Sequence, residues 1–367
     1  NNTNSWESRL GNQSLGSSIR AIAVAPSNSN VIYTGSTNGV LYMTTNAGAS
    51  YTQINSGANN LPNRTITSIA VNPNNAFDII VTLSGTNVGH VWRCSDVQPN
   101  DRLWVDISGT GGGALPDVPT TSVIRHPSAP SETYFVANDA GLFFTTNNGT
   151  TWINATSPLG MPRVGVSELR FAPAQDKLFA ATWGRGIWML DLNDVGLNKL
   201  VANPKVYIGD QTGSATLEVD RPTGTSGVNV ALSSSNPAIL QVPAFTTIPA
   251  GKREVTFNFT TVSPTNGPEV ITITASTSSG QVTETVIVYP LMPVQLILNP
   301  PSVTGGNSVT GTLKLNGPAG TGGLQVDITS SDPTLAQPDV ASVLVPQGES
   351  EATFTITTYG VKATTKV

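Results

Sequence analysis

Residues 120–157 read TTSVIRHP (120–127), ETYFVAND (132–139), GLFFTTN (141–147) and TWINATS (151–157). Each piece is a short run of β-branched and aromatic residues, closed by Pro, Gly or Asn, which is how strands and their turns are spelled. The four-part unit recurs on both sides. Residues 19–57 give IRAIAVAP, VIYTGS, GVLYMTTN and YTQINSG, and residues 66–109 give ITSIAVNP, FDIIVTLSG, HVWRCSD and LWVDISG. Residues 166–192 give VSELRFAP, DKLFAATWG and GIWMLDL, and there the unit stops. Pro26, Pro73, Pro127 and Pro173 each follow the first strand, 47, 54 and 46 residues apart, while Gly39, Gly89, Gly141 and Gly186 open the third. Pro cannot donate to a sheet and Gly permits a tight hairpin. Four short strands in a unit of about 45 residues predict the blade of a β-propeller.

The turn between third and fourth strands is spelled NAGASY (46–51) and NNGTTW (147–152). This pattern, Asn/Asp-x-Gly-x-Ser/Thr-aromatic, resembles the Asp-box, or BNR repeat, of sialidase, sortilin and xyloglucanase-like propellers. TWGRGIW (182–188) is similar to the last-blade strands of those families. Asn46 and Asn147 replace the usual Asp, and the second blade carries the insertion DVQPNDRLW (96–104) in place of the motif. The expected duty of Asn46, Gly48, Tyr51, Asn147, Gly149 and Trp152 is structural. The Asn oxygen caps backbone N–H groups, Gly turns the chain, and the aromatic packs between sheets.

The chain opens NNTNSW (1–6), a degenerate form of the same turn with Thr3 in the Gly place, so that Trp6 to Gly11 fall in a fourth-strand slot. No such strand follows Leu192. Two ring sizes stay open. Either the four repeats close into a small ring with the N-terminal strand, or they belong to a larger ring of roughly six to eight blades. A start inside the turn motif favours the second.

From Leu197 the spelling changes to alternating Val, Ile, Thr and Ser, and it repeats. GVNVALSSSNPAIL (227–240) matches GLQVDITSSDPTLA (323–336), and IPAGKREVTFNFTT (248–261) matches VPQGESEATFTITT (345–358). Each copy starts at an Asn-Pro pair, Asn203-Pro204 and Asn299-Pro300. Short strands with frequent turns predict Ig-like β-sandwiches, and the stretches are similar to the tandem Ig-like repeats of large secreted bacterial proteins. The first copy ends in ITITASTSSG and QVTETVIVYP (271–290), and the second reaches Val367 without a counterpart. The expected organisation is therefore all-β: a propeller over 1–195, an Ig-like sandwich over 196–290, and a second over 291–367 that is C-terminally truncated. A neighbouring molecule supplying the strand is the other reading.

Composition narrows the chemistry. The 367 residues hold 18 Lys+Arg against 23 Asp+Glu, a net charge of −5, and only 11% are charged, against roughly a quarter in an ordinary soluble domain. No basic run offers a footprint for nucleic acid or an anionic membrane surface. No apolar stretch is long enough for a spanning helix. One Cys excludes a disulfide framework, and two distant His make a multi-His metal centre improbable. No cofactor and no metal are expected.

The candidate ligand face is the rim made by the loops between blades and between second and third strands. It carries Arg64, His90, Asp139, Arg163, Glu168 and Arg185, along with Asn87, Asp117 and Asn138. The resemblance to sialidases implies three Arg around a carboxylate, a Tyr–Glu pair and an acid Asp. Arg64, Arg163 and Arg185 are available, but no Tyr lies in a matching loop. A xyloglucanase-like mechanism needs two carboxylates across a cleft, for which Asp139 with Glu168 or Asp117 are the candidates. No catalytic set is assigned. His90 is expected as a solvated rim residue, His126 as a turn residue before Pro127, and Cys94 as a packed small side chain.

The function expected is that of a secreted or cell-surface bacterial structural or adhesive protein, its propeller an interaction platform on an Ig-like stalk or fibre. Its partners would be other surface proteins, copies of itself, or glycans. The alternative is an extracellular glycoside hydrolase or glycan-binding propeller with accessory Ig-like modules.

Overall fold

A computed structural model describes residues 17–56, 61–98 and 102–367. The expected strand slot at Trp6 to Gly11 lies outside these residues. The chain is all-β and divides into two compact units. The first comprises residues 1–196 with the loops 219–228 and 247–254, and the second comprises 197–218, 229–246 and 255–367.

Each of the sequence repeats in the first unit is one antiparallel sheet in simple meander order. The first sheet holds β1 (Ile19–Ala25), β2 (Asn28–Ser36), β3 (Leu41–Thr44) and β4 (Thr52–Gln53). The second holds β5 (Ile66–Asn72), β6 (Asn75–Leu83), β7 (Val91–Cys94) and β8 (Val105–Asp106). The third holds β9 (Thr120–Arg125), β10 (Tyr134–Asn138), β11 (Gly141–Thr145) and β12 (Ile153–Asn154). Among the described residues the fourth holds β13 (Val166–Ala172), β14 (Lys177–Thr182) and β15 (Ile187–Asp191).

The sheets stack face to face, and the apolar residues that mark each strand form a layer between every neighbouring pair. Tyr33, Leu41, Ile54, Ile66, Ile79 and Trp104 fill the first layer. Ile80, Val91, Ile107, Val136, Phe143 and Trp152 fill the second, and Phe135, Phe144, Ala155, Leu169 and Leu178 the third. Successive side chains of one strand thus serve opposite layers, as the two-residue period requires: Ile79 faces one core and Ile80 the next. The first strands lie side by side, β1 against β5, β5 against β9 and β9 against β13. Their hydroxyls knit them together. Thr67 Oγ1 donates to Thr120 O at 2.6 Å and Thr121 Oγ1 to Val166 O at 2.6 Å.

Loops 219–228 and 247–254, expected within the 196–290 module, join the first unit through hydrogen bonds. Thr133 Oγ1 donates to Gly251 O at 2.8 Å, the Thr225 N–H to Asp176 Oδ1 at 2.7 Å, and the Gly224 N–H to Leu192 O at 2.9 Å.

In the second unit, β16 (Leu197–Ala202), β18 (Thr212–Val219), β20 (Leu240–Gln241) and β22 (Glu254–Thr261) form one sheet, ordered β16-β18-β22-β20. The strands β17 (Val206–Ile208), β19 (Val228–Ser234), β21 (Phe245–Ile248), β23 (Glu269–Thr277) and β24 (Gly280–Tyr289) form another, ordered β17-β24-β23-β19-β21. The repeat then runs again. β25 (Pro293–Asn299), β26 (Ser308–Leu315), β28 (Ala336–Pro338) and β30 (Glu351–Thr358) reproduce the first order as β25-β26-β30-β28. β27 (Leu324–Asp327) pairs with β29 (Ser342–Val345) as a two-stranded sheet, where the first copy has five strands. The duplicated spelling therefore corresponds to a duplicated order in the four-stranded sheet. Both Asn-Pro bonds that open the copies, Asn203-Pro204 and Asn299-Pro300, are cis.

Candidate functional site

The first strands of the four sheets line an open cleft of about 610 Å³. Its wall is mostly short and polar: Thr67, Ser68, Thr121, Ser122 and Ser167, with Arg20, Arg125, Glu168 and Arg170. Of the six candidate ligand-face residues, only Glu168 reaches this wall. It is exposed on β13 and forms an ion pair with Arg170 two residues along the strand. Ser122 does not stand free in the cleft, because its hydroxyl accepts from the Leu169 N–H at 3.2 Å.

The remaining candidates lie on loops. Arg64 precedes β5 and donates to Asn63 O at 3.3 Å, and its stem lies beside Gly85. Asp139, Arg163 and Arg185 are exposed. Among the described residues, no hydrogen bond or ion pair joins any two of Arg64, His90, Asp139, Arg163, Glu168 and Arg185. Nor does any group of three His, Cys, Asp or Glu side chains have the arrangement to hold a metal ion.

His90 differs from the sequence expectation. It is 2% exposed, not solvated. Its backbone N–H donates to Ser108 Oγ at 2.8 Å, its carbonyl accepts from the Leu83 N–H, and its Nε2 lies 3.0 Å from Asp117 Oδ1. Asp117 also accepts the Asn87 N–H, at 2.8 and 2.9 Å to its two oxygens. That N–H, and then the imidazole, hold the carboxyl below the usual carboxylate range. The arrangement ties the loop before β9 to the loop before β7. Cys94 is a free, buried thiol, donating to Asp96 O at 3.1 Å, and burial pushes its pKa up. His126 is fully buried against Phe171 at 5.6 Å between ring centres, with Gly251 packed close to its ring.

The two Asn-Gly turns have the same geometry, as their shared spelling requires. Asn46 Oδ1 accepts the Ser50 N–H at 2.9 Å and the Thr44 hydroxyl at 2.8 Å, and the Gly48 N–H donates to Thr44 Oγ1 at 3.0 Å. Asn147 Oδ1 accepts the Thr151 N–H at 3.0 Å and the Thr145 hydroxyl at 2.8 Å, and the Gly149 N–H donates to Thr145 Oγ1 at 3.0 Å. Gly149 has φ of +79°, and a side chain there would run into the Ile107 carbonyl. Trp152 donates its indole N–H back to Ile107 O of the preceding sheet at 2.8 Å. Trp104 does the same to Ile54 O at 3.3 Å, although the second sheet lacks the turn motif.

One buried polar cluster of the first unit was missed by the sequence expectation. Asp78 on β6 is buried and meets two arginines: Arg93 on β7, Nη2 to Oδ2 at 2.9 Å, and Arg125 on β9, Nη2 to Oδ1 at 2.8 Å. Asn72 Nδ2 adds a bond at 2.8 Å. Arg93 continues to Asn148 Oδ1 at 2.7 Å, which also accepts from Tyr134 Oη at 2.8 Å. Burial alone would push the Asp78 carboxyl up, but the bonds from Arg93, Arg125 and Asn72 outweigh it and hold its pKa below the usual value. A signal was present in the sequence. Arg125 stands where the other repeats have Val24, Val71 and Phe171, and Asp78 interrupts the apolar run FDIIV.

No family model and no curated protein matches the chain. Among solved structures, it is similar to YCF48 bound to D1 peptide at 10% identity, covering 95% of this chain and 94% of that one with a TM-score of 0.34. For YCF48 from Cyanidioschyzon merolae the identity is 11%, the coverage 81% and 92%, and the TM-score 0.31. For the D0-D1 domain of intimin the values are 14%, 44% and 85%, and 0.22. Overlaps this low carry no inference about activity or partners.

Proposed function

We propose that the chain is a secreted or cell-surface structural or adhesive protein, in which Asp-box-type propeller blades present an interaction surface on Ig-like modules. The observation that carries this reading is the use made of the rim's polar groups. Asp117 accepts from Asn87 and lies against His90, and Glu168 pairs with Arg170, which supports a holding role for these two carboxylates. A glycosidase needs two carboxyl groups facing each other across the sugar. The apolar side chains are displayed instead, with Ile22 and Val24 on β1 and Ile187, Trp188 and Met189 on β15 all exposed. Exposed apolar side chains grouped in this way suit contact with other macromolecules. The low charge and the Thr, Ser and Asn surface suit an extracellular scaffold.

Protease shaving and antibody labelling of intact producing cells test the location, and binding of the purified protein to those cells tests adhesion. Surface exposure together with saturable cell binding is the expected result. A protein confined to the cytosol, or one that releases reducing sugar from polysaccharides, would overturn the reading.

A further inference from the structure

The two copies that start at β16 and β25 carry one loop twice, spelled DRPTGTSG (220–227) and NGPAGTGG (316–323), or Asp/Asn-x-Pro-x-Gly-Thr-x-Gly. The hydrogen bonds repeat with the spelling. Asp220 Oδ1 accepts the Gly196 N–H at 3.1 Å, and Asn316 Oδ1 accepts the Met292 N–H at 3.0 Å. The Asp220 and Asn316 N–H groups donate in return to Gly196 O and Met292 O, at 2.9 and 3.1 Å. A second loop braces the first in both copies. The Gly251 N–H donates to Thr223 O and the Thr223 N–H to Lys252 O, as the Gly348 N–H does to Ala319 O and the Ala319 N–H to Glu349 O, at 2.8–3.1 Å.

The braced loop reaches backward onto what precedes its own copy. In the first copy a side chain at Gly224 would run into Asp176 of the first unit, and the Thr225 N–H donates to Asp176 Oδ1 at 2.7 Å. In the second copy a side chain at Gly320 would run into Asp210, and one at Gly317 into Ile208. Ile208, from β17 of the first copy, packs against the buried cluster of Leu291, Leu313, Leu315, Ala319 and Val345. Asp176 and Asp210 both have left-handed backbone, with φ of +50° and +64°. Otherwise the two receiving surfaces are unlike, since Asp176 lies in the turn between β13 and β14 while Asp210 follows β17. One loop, held by one set of bonds, thus meets two different surfaces.

We propose that the braced loop 316–323 is a docking surface fitted to the corner Ile208–Asp210, and that it fastens the two copies into one rigid body. The short connection from Pro290 to Pro293 does not set the geometry. It is itself held by the loop, because Asn316 Nδ2 donates to Pro290 O at 2.8 Å while Oδ1 takes the Met292 N–H. Glycines allow the close backbone approach and the apolar cluster seals it, where modules on a bare linker would swing. This goes beyond the surface-protein reading, because it concerns the mechanics of the purified chain wherever that chain resides.

The test is the spread of distances between two spin labels on the whole chain. They are placed at Asn258→Cys on β22 and Thr353→Cys on β30, both exposed, in a Cys94→Ala background. One narrow distance peak is expected. Gly320→Val, which drives a branched side chain into Asp210, and Ile208→Ser, which empties the receiving corner, should each widen it at least about twofold. Pro290→Ala, which softens the connection but keeps its carbonyl, should leave the peak narrow. Slow amide exchange on β26 and β30 checks that the second copy stays folded. If Gly320→Val unfolds it, Ile208→Ser, which leaves the loop untouched, decides. Three results would overturn the proposal: a broad peak in the parent chain, a peak that stays narrow in Ile208→Ser, and widening by Pro290→Ala equal to that of the loop variant.

Discussion

Arg125 Nη2 stands 2.8 Å from Asp78 Oδ1, so a buried guanidinium on β9 of the third sheet is neutralised by a buried carboxylate on β6 of the second. Arg93 closes the same carboxylate from β7 and reaches on to Asn148 beside the third sheet's turn. One anion therefore holds two sheets in register at a point where an apolar contact would let them slide.

Removing one member of this cluster should cost far more than removing all of it. Asp78→Ala leaves Arg125 buried and uncompensated, and about 3–5 kcal/mol of unfolding free energy should be lost. A triple replacement of Asp78, Arg93 and Arg125 by Leu or Met should recover most of that loss, since the desolvation cost disappears with the charges. Urea denaturation of the variants measures both; a triple variant no more stable than Asp78→Ala would count against the argument.

Acid should destabilise the first unit in two separate steps. His126 is neutral in the fold, because burial lowers its pKa from 6.5 to about 4. The unfolded chain takes up the proton as pH drops below 6.5, so stability is complete above that value and falls until about pH 4. The loss is on the order of 3 kcal/mol. Asp78, whose folded pKa lies below its ordinary 3.8, contributes stability above that value, and this is lost only as pH falls further. Denaturation midpoints between pH 3 and 8 should show the first step vanish in His126→Leu and the second persist.

The Asn-Gly turns should respond alike. Asn147→Ala removes the acceptor of the Thr151 N–H and the Thr145 hydroxyl and should cost about 1–2 kcal/mol, with a similar loss for Asn46→Ala. Gly149→Ala should cost more, about 2–3 kcal/mol, because φ is +79° and the Ile107 carbonyl occupies the space. Replacing Asn by Asp in either turn keeps the acceptor and should be nearly neutral. Thermal unfolding of the five variants ranks them.

Trp152 has two separable contributions. Trp152→Phe keeps most of the ring and loses the 2.8 Å bond to Ile107 O, a change of about 1 kcal/mol. Trp152→Ala empties the layer between second and third sheets and should cost about 3–5 kcal/mol. If the Phe variant were as damaging as Ala, the hydrogen bond rather than the packing would be the main term.

The strands and turns of both halves were legible because they depend on local spelling: Pro after a strand, Gly at a hairpin, alternating apolar residues. The duplicated order β16-β18-β22-β20 and β25-β26-β30-β28 follows two stretches of sequence written almost alike. What the sequence did not reveal depends on contacts between residues far apart in the chain. His90 looked like a solvated rim residue because its partner Asp117 lies 27 positions away, and nothing in the hairpin says that a later loop will cover it. The Asp78 cluster joins residues 47 apart, so a charge within an apolar run could be seen while its partner could not. The candidate rim residues were grouped by repeat position, which assigns a height on a sheet but not a distance to the next loop. The exposure of Ile187 on β15 was not visible in a stretch, GIWMLDL, spelled like the third strands of the other repeats.

The two indole bonds, Trp104 to Ile54 and Trp152 to Ile107, both point backward along the chain. The second and third sheets are thus each fastened to the preceding one by a residue made after that sheet is finished. During synthesis these sheets can lock in sequence, one behind another. The stack then behaves as a ratchet with nearest-neighbour coupling. Its loss of order should start from the fourth sheet and travel toward the first, giving mechanical or thermal disassembly a direction that the shared meander order of the repeats would not otherwise provide.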